Sequence, residues 1–199
     1  MLSVVGSQLL LSACNQGDVE QCQSLIVEAK ANTQFRNAIG ETCLHVAAER
    51  GRVAVTELLL GFGADPNVTR HHAYGGQTPL HVAVRHQHIK IAEALLDKNA
   101  DPNIQDSHGK TALHEAVATG NGLLVELLLR CGASPHCRDK LRKSPREYAI
   151  DRHLTAIEAL LTPQHGEEGP PPVPSFAERL DAENRRIVWR TTKGPEAKK

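Results

Sequence analysis

The sequence predicts an all-α fold, a solenoid in which helix-turn-helix units stack side by side. A six-residue cassette recurs four times at separations of 36, 33 and 33 residues, and a second motif follows it at a constant offset. Two motifs that share one period indicate units that each bury a face against their neighbours. The cassettes begin at Thr42, Thr78, Thr111 and Ser144, and the second motifs contain Pro66-Asn67, Pro102-Asn103 and Pro135-His136.

Each unit is predicted to begin with a short helix. Two cassettes place a hydroxyl residue before a proline, Thr78-Pro79 and Ser144-Pro145, and this pair is typical of a helix start. Gly17, Gly51 and Gly120 are expected to end the first helix, and a leucine-rich second helix follows. Positive φ is expected where the second helices close and in the connecting turns, namely at Gly63, Asn99 and Gly132 and at Gly40, Gly76 and Gly109.

Five units account for residues 1–162, and both terminal units are atypical. The first lacks the cassette, and the last has Arg142 where the others have a turn glycine. End units of a solenoid must expose one face to solvent, so such departures are expected. The predicted boundaries are 1–34, 35–67, 68–103, 104–136 and 137–162, followed by a Pro/Gly-rich linker 163–174, a short amphipathic segment 175–190 and a disordered basic tail 191–199.

The cassette Thr78-Pro79-Leu80-His81-Val82-Ala83 resembles the signature of the ankyrin repeat, and the resemblance runs from about residue 7 to 161. It implies an ankyrin-repeat solenoid of antiparallel helix pairs with hairpin-like finger loops. It also implies that His45, His81 and His114 hydrogen-bond within and between repeats and hold the fingers in place. The function implied is protein binding through a concave surface rather than chemistry in an enclosed pocket.

Composition argues against several other classes of protein. Net charge is zero, with 23 basic and 23 acidic residues, and aromatic residues make up 3% of the chain, so neither nucleic-acid nor membrane binding is expected. No nucleophile or phosphate-loop motif is present, so no enzyme and no cofactor are expected. The pairs His71-His72 and His86/His88 lack acidic or cysteine partners at ligand spacing, so no metal is predicted.

We also expect a reducing location. The five cysteines are odd in number and include no Cys-x-x-Cys pair, which favours free thiols. No signal peptide or membrane-spanning segment is predicted, so the expected location is the cytoplasm, the nucleus or both.

The resemblance places partner contacts at the finger tips and at exposed positions of the first helices. Three further groups are included: the histidines in the longer loop of the third unit, cations of the last unit and one aromatic residue of the tail. The candidates are Ile39, Glu41, Glu49, Arg50, His71, His72, Tyr74, Gln77, Arg85, His86, His108, Lys110, Thr119, Lys140, Leu141, Lys143, Arg152 and Trp189.

Two local departures refine this surface. The third unit has three extra residues within 68–76, which must emerge at the loop edge and form either a contact element or a neutral insertion. The segment from Arg138 to His153 has six basic and three acidic side chains. This excess predicts a partner with an acidic or phosphorylated patch, and the alternative is a solvated capping repeat.

Asn67 and Asn103 occupy a slot that, by the resemblance, is a target of asparaginyl hydroxylation. The alternative is that their side chains cap the local turn.

These observations predict a non-enzymatic adaptor or regulator, a monomer until it binds its partner. The alternative is a substrate-receptor subunit of a larger enzyme complex, such as a ubiquitin ligase, recruited through the tail, although the tail lacks the recognised cullin-recruiting pattern. The amphipathic segment is expected to dock either on the end of the last repeat, around Ile157, Leu160 and Leu161, or on a second protein.

Overall fold

The structure, a computed structural model, describes residues 2–162, which form five antiparallel pairs of α-helices. Each pair contributes a first helix to one layer and a second helix to the other. The helices are α1 Leu2–Gln16, α2 Val19–Val27, α3 Cys43–Arg50, α4 Val53–Gly61, α5 Pro79–Arg85, α6 Ile89–Asp97, α7 Ala112–Thr119, α8 Gly122–Arg130, α9 Pro145–Asp151 and α10 Thr155–Leu161. No strand occurs in this part of the chain, which confirms the predicted all-α solenoid.

The two layers stack independently along the solenoid. Each first helix contacts the next first helix, from α1 to α9, and each second helix contacts the next second helix, from α2 to α10. Leu44, Leu80 and Leu113 occupy the same cassette position and are at most 1% exposed. Each unit therefore buries its leucine between neighbours, which is the physical basis of the repeat.

The helix ends form as the cassette predicts. Thr42, Thr78 and Thr111 cap α3, α5 and α7, each in a capping box with the histidine three residues later. Gly51 and Gly120 end α3 and α7 with φ of 70°. The expected positive φ occurs at every predicted closing and turn residue: Gly63, Asn99, Gly132, Gly40, Gly76 and Gly109.

The first unit is a helix pair, as predicted, but its first helix is unusually long. α1 has 15 residues, whereas α3 has eight. Leu10 and Ala13 are fully buried, and Gly17 has φ of 85°, so the end of the helix matches the later units. The cassette that starts α3 has no counterpart here, so nothing fixes a helix start at the equivalent position and α1 begins further upstream.

The last unit closes the described array. Ile157 and Leu161 are 4% and 3% exposed because α10 packs against α8 and α9, whereas Leu160 is 43% exposed. The expectation that all three form an exposed docking surface is therefore wrong for Ile157 and Leu161. The predicted linker, amphipathic segment and basic tail, including Trp189, lie outside the described residues. Between residues 2 and 162, no helix is long and apolar enough to cross a membrane.

Candidate protein-binding surface

Finger loops between successive units form one edge of the solenoid. Each short finger is closed by a main-chain hydrogen bond across four residues, and neighbouring fingers are joined by a further main-chain bond. The closing bonds run from Asn37 N–H to Glu41 O, Asp106 N–H to Lys110 O and Asp139 N–H to Lys143 O, at 3.0, 2.8 and 3.0 Å. The joining bonds run from His71 N–H to Ile39 O, Ser107 N–H to Gly75 O and Lys140 N–H to His108 O, at 3.1, 3.0 and 2.9 Å.

An acceptor side chain braces each short finger from inside. Asp106 Oδ1 accepts hydrogen bonds from the N–H groups of His108 and Lys110, both at 2.8 Å. Asp139 Oδ1 accepts from Leu141 N–H at 2.9 Å and Lys143 N–H at 3.0 Å. Although burial opposes ionisation, bonds from the Tyr148 hydroxyl and these N–H groups lower the pKa of Asp139. Both carboxylates therefore hold backbone in place and are turned away from solvent.

A histidine from the preceding repeat anchors the base of each finger. His45 Nε2 is 2.9 Å from Gln77 O, and His81 and His114 make the equivalent bonds to Lys110 O and Lys143 O at 3.0 and 3.2 Å. Burial lowers the pKa of His45 to about 4 and lowers the pKa of the other two. The rings are therefore neutral, with Nδ1 accepting from the cap threonine N–H and Nε2–H donating to the next finger. The histidine role implied by the resemblance is confirmed.

The long finger of the third unit is built differently. Its three extra residues lie between the closing pair, Arg70 N–H and Gln77 O, which are 2.9 Å apart. A 3₁₀ turn, His72–Tyr74, fills the loop and ends at Gly75 with φ of 97°. His71 and His72 are exposed, and Tyr74 is 56% exposed, so the insertion does emerge at the loop edge.

Arg70 occupies the slot that holds Asn37, Asp106 or Asp139 in the other fingers. A guanidinium cannot accept bonds from its own loop, and instead Arg70 forms ion pairs with Glu41 and Glu49 of the preceding repeat. The side chains of Arg70 and Glu41 are 14% and 13% exposed. The long finger is therefore tied to its neighbour rather than braced internally.

Beside the fingers lies an open cleft of about 540 Å³, lined by residues of the third, fourth and fifth units. Tyr74 and Leu141, 56% and 73% exposed, are apolar side chains on its lining. The remaining lining residues are Arg70, Gly75, Gln77, Arg85, Asp106, His108, Lys110, Glu115, Asp139 and Lys140.

Seven of the predicted contact residues thus meet in one cleft, but one of them is not available to a partner. Gln77 is 5% exposed, because its side chain accepts a bond from Arg85 Nη1 at 3.0 Å and its carbonyl accepts from His45. The expectation that Gln77 is an exposed contact residue is wrong. The other six in the cleft are Tyr74, Arg85, His108, Lys110, Lys140 and Leu141.

The remaining predicted contacts are dispersed. Arg50 and His86 are exposed at the ends of α3 and α5, whereas Thr119 is half-buried with its hydroxyl donating to Ala116 O at 2.9 Å. The Arg152 guanidinium donates to the carbonyl of Ala118. Ile39 is half-buried, Glu41 and Glu49 pair with Arg70, and His71 and His72 lie on the outer part of the long finger.

Three of the six cations behind the basic excess of the last unit form ion pairs within that unit. Ion pairs join Arg138 to Glu147, Lys143 to Asp151 and Arg146 to Glu158, at 3.1, 2.5 and 3.5 Å. The sequence count already included Glu147 and Asp151, so only Glu158, which lies outside the counted segment, lowers the excess. Lys140 and Arg142 remain exposed without an ion pair within residues 2–162.

Asn67 and Asn103 bridge neighbouring repeats. Asn67 donates to Asn99 O at 3.1 Å and accepts from Asp101 N–H at 2.8 Å, and Asn103 makes the same contacts with Gly132 O and Ser134 N–H. The local turn is capped by Asp65, whose Oδ1 accepts from Asn67 N–H at 2.9 Å. The interpretation that the asparagine side chains cap their own turn is therefore wrong.

Titratable side chains do not assemble into a metal site in the described part of the chain. Residues 2–162 contain no group of three or more histidine, cysteine or acidic side chains that could hold an ion. None of the five cysteines forms a disulfide, and the sulfurs of Cys14 and Cys22 lie 3.7 Å apart in the core.

Three relatives illustrate what the chain is similar to. It is 36% identical to the ADP-ribosylation factor GTPase-activating protein AGD2 of Arabidopsis thaliana over 72% of the chain and 13% of that protein. It is 32% identical to a putative ankyrin repeat-containing protein of Treponema pallidum over 72% of the chain and 36% of that protein. It is 40% identical to Ankyrin repeat and SOCS box protein 3 of Bos taurus over 63% of the chain and 24% of that protein. The chain thus spans only about an eighth to a third of these relatives.

Family models place the repeats directly. The model described as ankyrin repeats in three copies matches residues 9–106, and the single ankyrin-repeat model matches residues 108–140. The matched segments begin within α1, contain α2 to α8 and include the three cassettes that start at Thr42, Thr78 and Thr111. Together with the helix-pair solenoid, these matches show that the chain belongs to the ankyrin-repeat family.

Proposed function

We propose that this protein is a non-enzymatic adaptor or regulator that holds a partner protein in the concave cleft. The family implies protein–protein interaction. The observation that carries the proposal for this chain is the exposure of Tyr74 and Leu141 on fingers that are hydrogen-bonded to each other through the His108 finger. Aromatic and aliphatic side chains on a preorganised edge are the kind of anchors that dominate binding energy.

The cleft favours binding over chemistry because its acidic groups are already occupied. Asp106 and Asp139 accept two backbone N–H bonds each, and Glu115 pairs with Arg85 at 2.9 Å. A general base must be free to take a proton from a substrate, and these carboxylates are committed to structure. The expected monomeric state before binding, the cytoplasmic or nuclear location and the lack of binding to nucleic acid and membranes belong to this proposal.

Affinity capture with a matched pair of variants tests the proposal. The full chain carrying Tyr74→Ala and Leu141→Ala should lose the partners that the unmodified chain retains. The control carries Phe62→Ala and Leu123→Ala, which remove somewhat less exposed apolar side chains (45% and 66%, against 56% and 73%) near or within the second-helix layer. If the cleft variant retains every partner and the control loses them, the binding surface lies on the second-helix layer and not in the cleft.

A second candidate function is substrate recruitment within a ubiquitin ligase or a similar complex. It is favoured by the similarity to Ankyrin repeat and SOCS box protein 3 and would act through the chain after residue 162. Capture with and without residues 170–199 separates the two functions. Loss of one partner set on truncation, with unchanged capture by the cleft, supports recruitment through the tail, and identical partner sets contradict it.

A further inference from the structure

We propose that the cleft takes an extended peptide segment that carries glutamate or aspartate side chains, bound across the fingers of the third, fourth and fifth units. This inference rests on the proposed function and names the chemistry of the partner. Three of the six cations that predicted an acid-binding last unit are internally paired, so the inference keeps Lys140 of that unit and adds Lys110 and Arg85 of the units before it.

The accessible charge of the cleft is positive. Lys140 is exposed and Lys110 is half-buried, and neither has an ion-pair partner among residues 2–162. The side chain of Arg85 is 44% exposed, whereas its partner Glu115 is only 12% exposed. A ligand that enters the cleft therefore meets cationic donors first.

The negative charge of the same cleft is withdrawn from solvent. The side chain of Asp106 is 2% exposed, and Asp139 is 6% exposed. Both accept backbone N–H bonds within their own fingers, and Asp139 also accepts from the Tyr148 hydroxyl at 2.5 Å. These buried carboxylates therefore repel an acidic ligand only weakly. A count of all charged lining residues, without regard to burial, would have made the cleft nearly neutral.

An aromatic ring helps to place one of the free cations. The Lys110 ammonium lies 5.4 Å from the centre of the Tyr148 ring. The Tyr148 hydroxyl donates a hydrogen bond to Asp139, which holds the ring in place. The Lys143 ammonium lies 5.7 Å from the same ring, but it pairs with Asp151. The cation–π contact limits the positions of Lys110, which reduces the cost of ordering it on binding.

The other end of the cleft differs in charge. Arg70 is held by Glu41 and Glu49, so two carboxylates face one guanidinium there. An acidic ligand is repelled from this end and attracted by Lys110 and Lys140, which places its carboxylates at the fourth and fifth units.

The spacing of the apolar anchors indicates an extended ligand. Tyr74 and Leu141 belong to fingers separated by one intervening finger, that of His108. Neighbouring packed helices are about 10 Å apart, so the two anchors are separated by about 20 Å. An extended chain advances about 3.3 Å per residue, so about six residues join the two contacts and pass over Lys110.

The test measures binding of labelled peptides to the full chain by fluorescence anisotropy. The probe carries a run of glutamates between two leucines, and matched probes carry glutamine, lysine or phosphoserine in place of glutamate. The unmodified chain should bind the glutamate probe best, with an affinity that falls as salt is added. Lys110→Glu with Lys140→Glu should weaken that binding about tenfold at low salt, and Lys90→Glu with Arg130→Glu, the same charge change on the second helices, should not.

Other outcomes separate this inference from the proposed function. If the glutamine or lysine probe binds as well and only Tyr74→Ala with Leu141→Ala weakens it, the cleft binds peptides but the acidic class is wrong. Binding of the phosphoserine probe without the glutamate probe overturns the choice of carboxylate. If the glutamate probe does not bind, the inference falls. If some probe binds but no substitution in the cleft affects it, both the inference and the proposed binding surface fall. Unchanged helical circular dichroism in each variant confirms that the comparison is between folded proteins.

Discussion

Two fingers of the solenoid are stabilised in different ways, the short finger from Asp106 to Lys110 and the long finger from Arg70 to Gln77. Each is closed by its own main-chain hydrogen bond. In the short finger, Asp106 accepts two N–H bonds from its own loop. In the long finger, Arg70 occupies the equivalent slot and pairs with Glu41 and Glu49 of the repeat before it. The short finger is a self-contained turn, and the long finger depends on its neighbour.

This difference shows how a repeat protein can gain a contact element without disturbing its stack. The helix after the insertion, α5, keeps the capping box of α3 and α7, and His45 still anchors the finger base at Gln77 O. The three extra residues are confined to the loop, where they expose Tyr74. The cost is that an internal brace is replaced by a longer-range ion pair.

Acidification should have the largest effect, because the histidine anchors are common to both kinds of finger. Burial lowers the pKa of His45 from about 6.5 in the unfolded chain to about 4. The unfolded state therefore binds more protons between these values, and the free energy of unfolding falls as pH falls from 6.5 towards 4. His45 alone contributes about 3 kcal/mol to this loss, and His81 and His114 add to it.

Urea denaturation at pH 7 and pH 4.5 measures this loss. His45→Gln should flatten the pH dependence, whereas His136→Gln, at an exposed position, should leave it unchanged. A pH dependence that is the same in all three proteins would show that His45 does not supply it.

Asp106→Ala should cost about 3 kcal/mol, because it removes a charged acceptor from two buried or half-buried backbone bonds. Asp106→Asn should cost about 1 kcal/mol or less, since Asn37 makes the same two bonds to Ile39 and Glu41 N–H in the second unit. Chemical denaturation at pH 7 gives both values. Equal losses for Ala and Asn would mean that the side-chain acceptor does not brace the finger.

Arg70→Ala should cost less, about 1–2 kcal/mol, because the pair is only partly desolvated. The loss arises mainly from leaving Glu41 with no cation, so adding Glu41→Gln should recover part of the stability. A double-mutant cycle by thermal or urea unfolding measures this coupling. Additive losses in the cycle would contradict a link between the long finger and the preceding repeat.

Tyr74→Ala and Leu141→Ala should change the free energy of unfolding by less than about 0.5 kcal/mol, since both side chains are mostly exposed. The same substitutions should abolish capture of the partner. Paired thermal melts and capture assays therefore separate the stability role of the fingers from their binding role. A large fall in melting temperature would instead identify either side chain as part of the fold.

The sequence predicted the fold well because periodic features are local. The cassette alone indicates the helix starts, and the closing glycines lie where φ is positive, as at Gly109. Even Arg142, the departure from the glycine pattern, keeps φ of 61°, since Asp139 closes that finger in the same way as Asp106 closes its own.

The binding surface was less predictable because it depends on side chains that meet only after folding. Gln77 looked exposed but is covered by Arg85, and Lys143 looked free but pairs with Asp151. When the finger sequences are aligned, Arg70 stands where the other fingers have an acidic or amide residue. This difference would have indicated that the long finger lacks an internal brace, but not that Glu41 and Glu49 replace it.

Hydrogen–deuterium exchange of the full chain, free and in complex with its captured partner, tests the proposed surface most directly. Binding in the cleft should slow exchange in the fingers at 70–77, 106–110 and 139–143, while α4, α6 and α8 exchange at unchanged rates. Slower exchange confined to those three helices, with the fingers unaffected, would place the partner on the second-helix layer and contradict binding through the cleft.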